Sequence, residues 1–267
     1  MSARRVRVCV LQGLGINADE ELLAAFRAAG AEPAGMHVSD LVDGAAGLDD
    51  FHILALPGGF SFGDHLGSGR VLAVLLRRRV GAALERFIRA GRLAIGICNG
   101  FQVLVKAGLL PDLSAQGKPE VSLVANDSGK FEDRWVMVGF PPSACVWTAG
   151  LTPTELPVRH GEGKLIVPEG QVLEALERGG RIAATYLPRQ PHAQGPAAYP
   201  DNPNGSVRDV AGLCDASGRV FGLMPHPEAF QHPENHPRWT REPVAEPGGM
   251  AILNRGVAYA ERHLAGE

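Results

Sequence analysis

Three side chains in this sequence have the chemistry of a nucleophile, its base and a carboxylate to orient that base. Cys98 stands in Gly96-Ile97-Cys98-Asn99-Gly100, and His226 and Glu228 stand two residues apart in Pro225-His226-Pro227-Glu228. The Gly-x-Cys-x-Gly pattern is the thiol version of a nucleophile elbow, a strained strand-to-helix turn that needs small neighbours on both sides of the reacting residue. A thiol with an ordinary pKa of about 8.5 is mostly protonated at neutral pH, so a helix N-terminus aimed at the sulfur favours the attacking thiolate. Such a turn is expected to leave Cys98 exposed. In an extended segment, residues two apart project to the same side, so Glu228 can hydrogen-bond the His226 ring and fix its tautomer. Nucleophile, base and orienting carboxylate would then be complete. Each piece also has a plainer reading: an inert cysteine between glycines that pack helix on strand, and a surface His–Glu contact.

The elements that must position these groups follow from hydrophobic patterning. The apolar run 93–97 reads as a central parallel strand, and a helix over 100–107 follows it and ends at Gly108. A strand over 6–11 and a helix over 19–29 make a β-α opening. The loop between them, Gly13-Leu14-Gly15-Ile16-Asn17-Ala18, matches the dinucleotide fingerprint with alanine in third place and Asp40 further on; the match is weak, because glycines are common in such turns. A strand over 52–56 runs into Pro57-Gly58-Gly59-Phe60-Ser61-Phe62-Gly63-Asp64. Glycines at a parallel strand's carboxyl end let backbone approach a ligand, and the Gly59 N–H could face an oxyanion beside Cys98; a plain glycine turn is the alternative. A helix over 71–90 carries Arg77, Arg78 and Arg79, read mainly as a solvated face, with a partner contact as the alternative.

After the elbow helix the strand-helix alternation stops. Strands over 121–125, 135–140, 156–160 and 164–167 predict an antiparallel or mixed section beside the parallel core. Between two of them, His160-Gly161-Glu162-Gly163 would be free to contact a substrate, or would form an exposed polar hairpin. Residues 187–205 read as a loop, and Asp215-Ala216-Ser217-Gly218 as the turn of a hairpin whose second strand delivers His226. A final helix is expected over 250–264. His232 and His236, among prolines, read as a solvated connection rather than a metal site.

Composition narrows the class. Hydrophobic residues make up 45% and charged residues 21% of the 267, which is globular, and a net charge of -3 argues against a nucleic-acid partner. No linker divides the chain, so residues 1–267 are expected to form a single domain. Cys9, Cys98, Cys145 and Cys214 are far apart with no Cys-x-x-Cys pair, which suggests neither zinc nor disulfides and fits a reducing cytoplasm. No apolar run approaches a membrane span, and no Gly-x-x-x-x-Gly-Lys-Ser/Thr phosphate loop is present, so neither membrane nor ATP is expected on this chain.

Together these motifs resemble the triad class of glutamine amidotransferases. PGGFSFGD at 57–64, GICNGFQVL at 96–104, HGEG at 160–163, NGSVRDVAG at 204–212 and MPHPE at 224–228 are similar, in that order, to the glutaminase subunits serving purine biosynthesis. Phe62 and His65 stand where tyrosines are usual, Ala18 where a cysteine is common, and Ala229 where arginine is frequent. The resemblance implies an α/β fold, a flavodoxin-like open and mostly parallel sheet with an added antiparallel section. It implies catalysis by Cys98, His226 and Glu228, and glutamine binding by Gly58, Gly59, Phe60, Asn99, Gln102, His160, Gly161 and Glu162, with Gly59 and Asn99 offering N–H groups to the oxyanion. It also implies a large synthetase subunit that carries the ATP and Mg, takes the ammonia and converts formylglycinamide ribonucleotide to the amidine, with a small accessory subunit beside it and no cofactor on this chain. A stand-alone γ-glutamyl or thiol hydrolase and a catalytically silent regulatory subunit are the rival readings.

Overall fold

The computed structural model describes residues 5–44, 46–168, 170–189, 195–242 and 247–266. The first half alternates: β1 (Arg7–Gln12), α1 (Asp19–Ala28), β2 (Glu32–His37), α2 (Val38–Val42), β3 (Ile53–Leu56), α3 (Arg70–Leu75), a wide π turn (Leu76–Val80), α4 (Gly81–Arg89), β4 (Leu93–Ile97) and α5 (Asn99–Lys106). The second half is mostly strand: β5 (Ser122–Val124), β6 (Glu132–Gly139), β7 (Thr154–His160), β8 (Lys164–Ile166), α6 (Gln171–Arg178), β9 (Ile182–Leu187), β10 (Val210–Cys214), β11 (Val220–Leu223) and α7 (Gly248–His263).

Nine strands form one sheet in the order β2-β1-β3-β4-β11-β10-β9-β6-β7. Pairs from β2 through β11 are parallel and the rest antiparallel. This is the open, mostly parallel α/β sheet with an antiparallel extension that the sequence predicts. Strands β3, β4 and β11 are buried along their whole length, as continuous apolar runs require in a sheet covered on both faces. Their register brings their carboxyl ends together: Leu56 pairs with Gly96, and Leu223 with Ile97. The chain leaving β3, β4 and β11 therefore emerges along one edge.

The edge strand β7 stands four places from β11 in the sheet yet returns to that edge, where Pro157 O accepts the His226 N–H at 2.8 Å. The antiparallel half curls round to close the site.

Several expectations change. Strand β8 does not form a hairpin with β7; it pairs with β5 in a separate two-stranded ribbon, Ser122 opposite Ile166. The helix expected over 71–90 is broken by the π turn, which carries the exposed Arg77, Arg78 and Arg79. Elements β2, α2, α6 and β9 have no counterpart among the sequence-based expectations. Strand β2 (Glu-Pro-Ala-Gly-Met-His) buries only Met36, so it shows neither alternation nor an apolar run. Of the loop expected over 187–205, residues 190–194 lie outside the described residues. His232 is exposed, but His236 is buried, its Nε2 2.9 Å from Glu155 Oε2 and its ring 4.9 Å from that of Trp135, so this part of the connection packs rather than being solvated. Among the described residues no helix is long and apolar enough to cross a membrane.

Candidate active site

Cys98 closes β4 and opens α5 with φ 50° and ψ −102°, a region that costs a side-chain-bearing residue on the order of 1–3 kcal/mol. Its own N–H is held by Leu223 O at 2.7 Å, which fixes the turn to the sheet. The flanking glycines are required by close packing. A Cβ on Gly100 would lie 1.9 Å from Leu56 O, and one on Gly96 would lie 2.5 Å from Gly100 O, so the helix starts directly against β3 and β4. The expectation of an exposed cysteine is corrected here. Cys98 is only 5% exposed, because β7 covers it and Arg159 O receives its thiol at 3.6 Å.

His226 leaves β11 and enters a short 3-10 turn, Pro227–Ala229, so the pair geometry comes from that turn and not from extended backbone. His226 Nδ1 lies 2.6 Å from Glu228 Oε1, with both side chains buried. Burial alone would lower the imidazole's pKa. The Glu228 carboxylate and the Cys98 sulfur outweigh it and raise His226 to about 10. His226 Nε2 has no partner at ordinary hydrogen-bonding distance.

The loop after β3 packs under this pair. Phe60 N–H donates to Gly15 O at 2.7 Å, and Asn17 and Ala18 N–H both reach Gly58 O at 3.3 Å, but the Gly59 N–H enters none of these bonds. The glycines of the 13–18 loop thus serve this turn: a Cβ on Gly15 would lie 2.1 Å from Phe60 O. Gly58 faces the imidazole, its would-be Cβ 2.7 Å from His226 Cε1.

A cavity of about 250 Å³ opens here, lined by Glu21, Gly59, Phe60, Phe131, Arg159 and His226 together with Asn17 and Ala18. Of the residues expected to bind substrate, Gly59 and Phe60 line it. Asn99, Gln102 and Glu162 instead form a buried relay beside Cys98: Asn99 Oδ1 accepts the Ser61 N–H at 3.3 Å, Asn99 Nδ2 donates to Gln102 Oε1 at 3.0 Å, and Gln102 Nε2 donates to Glu162 O at 2.5 Å. Glu162 Oε2 accepts the Ser68 N–H at 3.2 Å, and Lys106 Nζ reaches Ser68 O at 2.5 Å. His160 is buried, its Nδ1 3.2 Å from Asn126 Oδ1, and burial and the nearby His226 lower it to about 4. Gly161 O accepts the Asn126 N–H at 2.9 Å. The 160–163 segment is therefore neither a free substrate loop nor an exposed hairpin. It is pinned because β7 and β8 belong to different sheets. Ser206 braces it, its Oγ 3.4 Å from Gly163 O, and takes the Leu165 N–H just beyond at 2.9 Å.

The model of the CobB/CobQ-like glutamine amidotransferase domain matches residues 5–260. The chain belongs to that family. Among the family's members, phosphoribosylformylglycinamidine synthase subunit PurQ of Dehalococcoides mccartyi is 42% identical over 260 residues, 97% of this chain and 99% of that one. The subunit of the same name from Methanococcus maripaludis is 40% identical over 234 residues, 87% and 86% of the two chains. A chain of the Thermotoga maritima structure of PurLQS superposes with a TM-score of 0.72 at 28% identity, covering 96% of this chain and 99% of that one. A second Thermotoga maritima glutamine amidotransferase shares the fold, with a TM-score of 0.56 at 14% identity.

Within the amidotransferase framework, sequence reasoning missed Glu21, Phe131 and Arg159. Arg159 directly precedes the His-Gly-Glu-Gly segment, which was its only signal. Glu21 sits in the first turn of α1, where an acidic residue is ordinary helix-end chemistry.

Proposed function

We infer that this protein is the glutaminase subunit of a phosphoribosylformylglycinamidine synthase. It hydrolyses glutamine to glutamate and ammonia and hands the ammonia to a synthetase subunit, which uses ATP to convert formylglycinamide ribonucleotide to formylglycinamidine ribonucleotide in purine biosynthesis. One observation carries the site assignment: a cysteine at positive φ beside a buried His–Glu pair 2.6 Å apart, in the family whose chemistry needs a nucleophile and a proton carrier.

Cys98 gives its thiol proton to His226 and its Sγ bonds to the side-chain amide carbon, and the Gly59 and Asn99 N–H groups take the developing oxyanion. The C–N bond breaks as His226, held protonated by Glu228, gives its proton to the leaving nitrogen. The glutamyl thioester is cleaved by water, whose proton returns to His226, and glutamate leaves with Cys98 regenerated. Gln102, His160, Gly161 and Glu162 hold the walls of this site in place.

Relatives named as subunits of the synthase, and a similar chain in the PurLQS structure, support a large synthetase partner and a small accessory subunit. The single core joining β1 through α7 supports one domain over 1–267, and four free cysteines suit the cytoplasm.

The test separates the two half-reactions. Cys98→Ala removes little volume and no surface contact, so the mixed complex should still make the amidine from ammonium salt, at about pH 8 where free ammonia is present, and fail with glutamine. Wild-type chain should support both nitrogen sources. Equal use of glutamine by the two would end the role given to Cys98, and no gain in glutamine use on adding wild-type chain to the synthetase would favour a stand-alone hydrolase.

A further inference from the structure

The cavity beside His226 carries charge of both signs, from Glu21 and Arg159. Arg159 Nη2 donates to Glu21 Oε2 at 3.0 Å, while Arg159 Nε is buried with no hydrogen-bond partner. As a half-exposed ion pair this contact adds little to stability, and a buried donor left unpaired opposes folding. The arrangement therefore has another use. Arg159 is also tied to the nucleophile, because its main-chain carbonyl receives the Cys98 thiol at 3.6 Å. Its guanidinium thus sits one side chain away from the sulfur, and the exposed rings of Phe60 and Phe131, 6.2 Å apart, line the same cavity.

Free glutamine presents a carboxylate and an ammonium on its α-carbon, two methylene groups from the amide carbon that Cys98 attacks. We propose that the Arg159–Glu21 pair recognises this zwitterionic head group. A guanidinium N–H of Arg159 not given to Glu21 takes the α-carboxylate, and the Glu21 oxygen not given to Arg159 takes the α-ammonium. The site then accepts the free amino acid and rejects glutamine side chains whose α-amino group is missing or acylated. This assignment rests on the glutaminase reading above and names its specificity-determining residues.

Two reagents that attack the same sulfur distinguish the two readings. Iodoacetamide carries no head group; a glutamine analogue with a diazoketone in place of its amide carries the whole one. In the intact chain, Glu21→Gln and Arg159→Gln should leave Cys98 alkylation by iodoacetamide unchanged but slow labelling by the analogue by about tenfold to a hundredfold. The same diazoketone without its α-amino group should label wild type slowly, and Glu21→Gln no more slowly. Labelling by the full analogue that ignores both substitutions would overturn the assignment, and so would a parallel loss with iodoacetamide, which would make the pair a structural brace. If neither reagent reaches Cys98 in wild type, the glutaminase reading itself fails.

Discussion

A buried carboxylate and a nearby sulfur raise His226 to about 10, which suits the role proposed for it, giving a proton to departing ammonia. Replacing His226 by alanine should therefore lower glutamine hydrolysis by about a thousandfold or more, and Glu228→Gln by less, since Glu228 acts through the ring it holds. Steady-state rates with the synthetase present would decide this, and near-normal turnover by His226→Ala would require another proton carrier. Glu228→Gln should also pull the His226 midpoint down in an NMR titration. Because the folded value is raised, the stabilisation linked to this proton is full below about 6.5 and is lost as pH climbs toward about 10. At this scale the sequence alone picks out the three groups proposed to react, since Cys, His and Glu in those contexts have few other uses together. Burial of Cys98 was not legible, because the covering strand comes from elsewhere in the chain. Neither was the Arg159–Glu21 pair, whose members lie 138 residues apart.

The elbow joins two elements through contacts with almost no clearance, and its glycines answer to packing as much as to the turn. Gly100→Ala would drive a methyl group into Leu56 O, a backbone atom of β3 that has no room to move within a sheet paired on both sides. The expected cost is about 3 kcal/mol, read as a lowered urea midpoint with an unchanged slope. Gly58→Ala should behave differently, since its methyl group meets the edge of the His226 ring: the loss there should fall on turnover more than on stability. Equal midpoints for Gly100→Ala and wild type would mean that α5 can shift away from β3. Most elements were readable because the buried strands are unbroken apolar runs and the amphipathic α1 stops just ahead of Gly30. Strand β2 escaped because it is a polar edge bearing Pro33. The π turn escaped because nothing in Leu76–Val80 differs from an ordinary helical repeat.

Across the whole molecule, the parallel core was legible from alternating strand and helix signals, but the curl that returns β7 to the carboxyl ends of β4 and β11 was not, because strand order in an antiparallel section leaves no periodic trace. That curl buries His160, the last residue of β7, with Asn126 Oδ1 at its Nδ1 and the charged His226 nearby. The Glu132 carboxylate, on the residue paired with His160 across the sheet, favours the imidazolium but does not outweigh burial. Burial and His226 lower His160 to about 4, whereas in the unfolded chain it titrates near about 6.5. The unfolded state then binds the proton more readily between those values, so the stability that depends on a neutral His160 is present above about 6.5 and drains away as pH falls toward about 4. At about pH 5 the loss is on the order of 2 kcal/mol. His160→Gln, which keeps a polar group for Asn126 but cannot take up a proton, should be somewhat less stable than wild type at about pH 7.5 and should lose less on moving to about pH 5. Urea midpoints of both proteins at the two pH values test this. Equal losses would place the acid sensitivity in other groups and leave His160 as a packing residue of the seam.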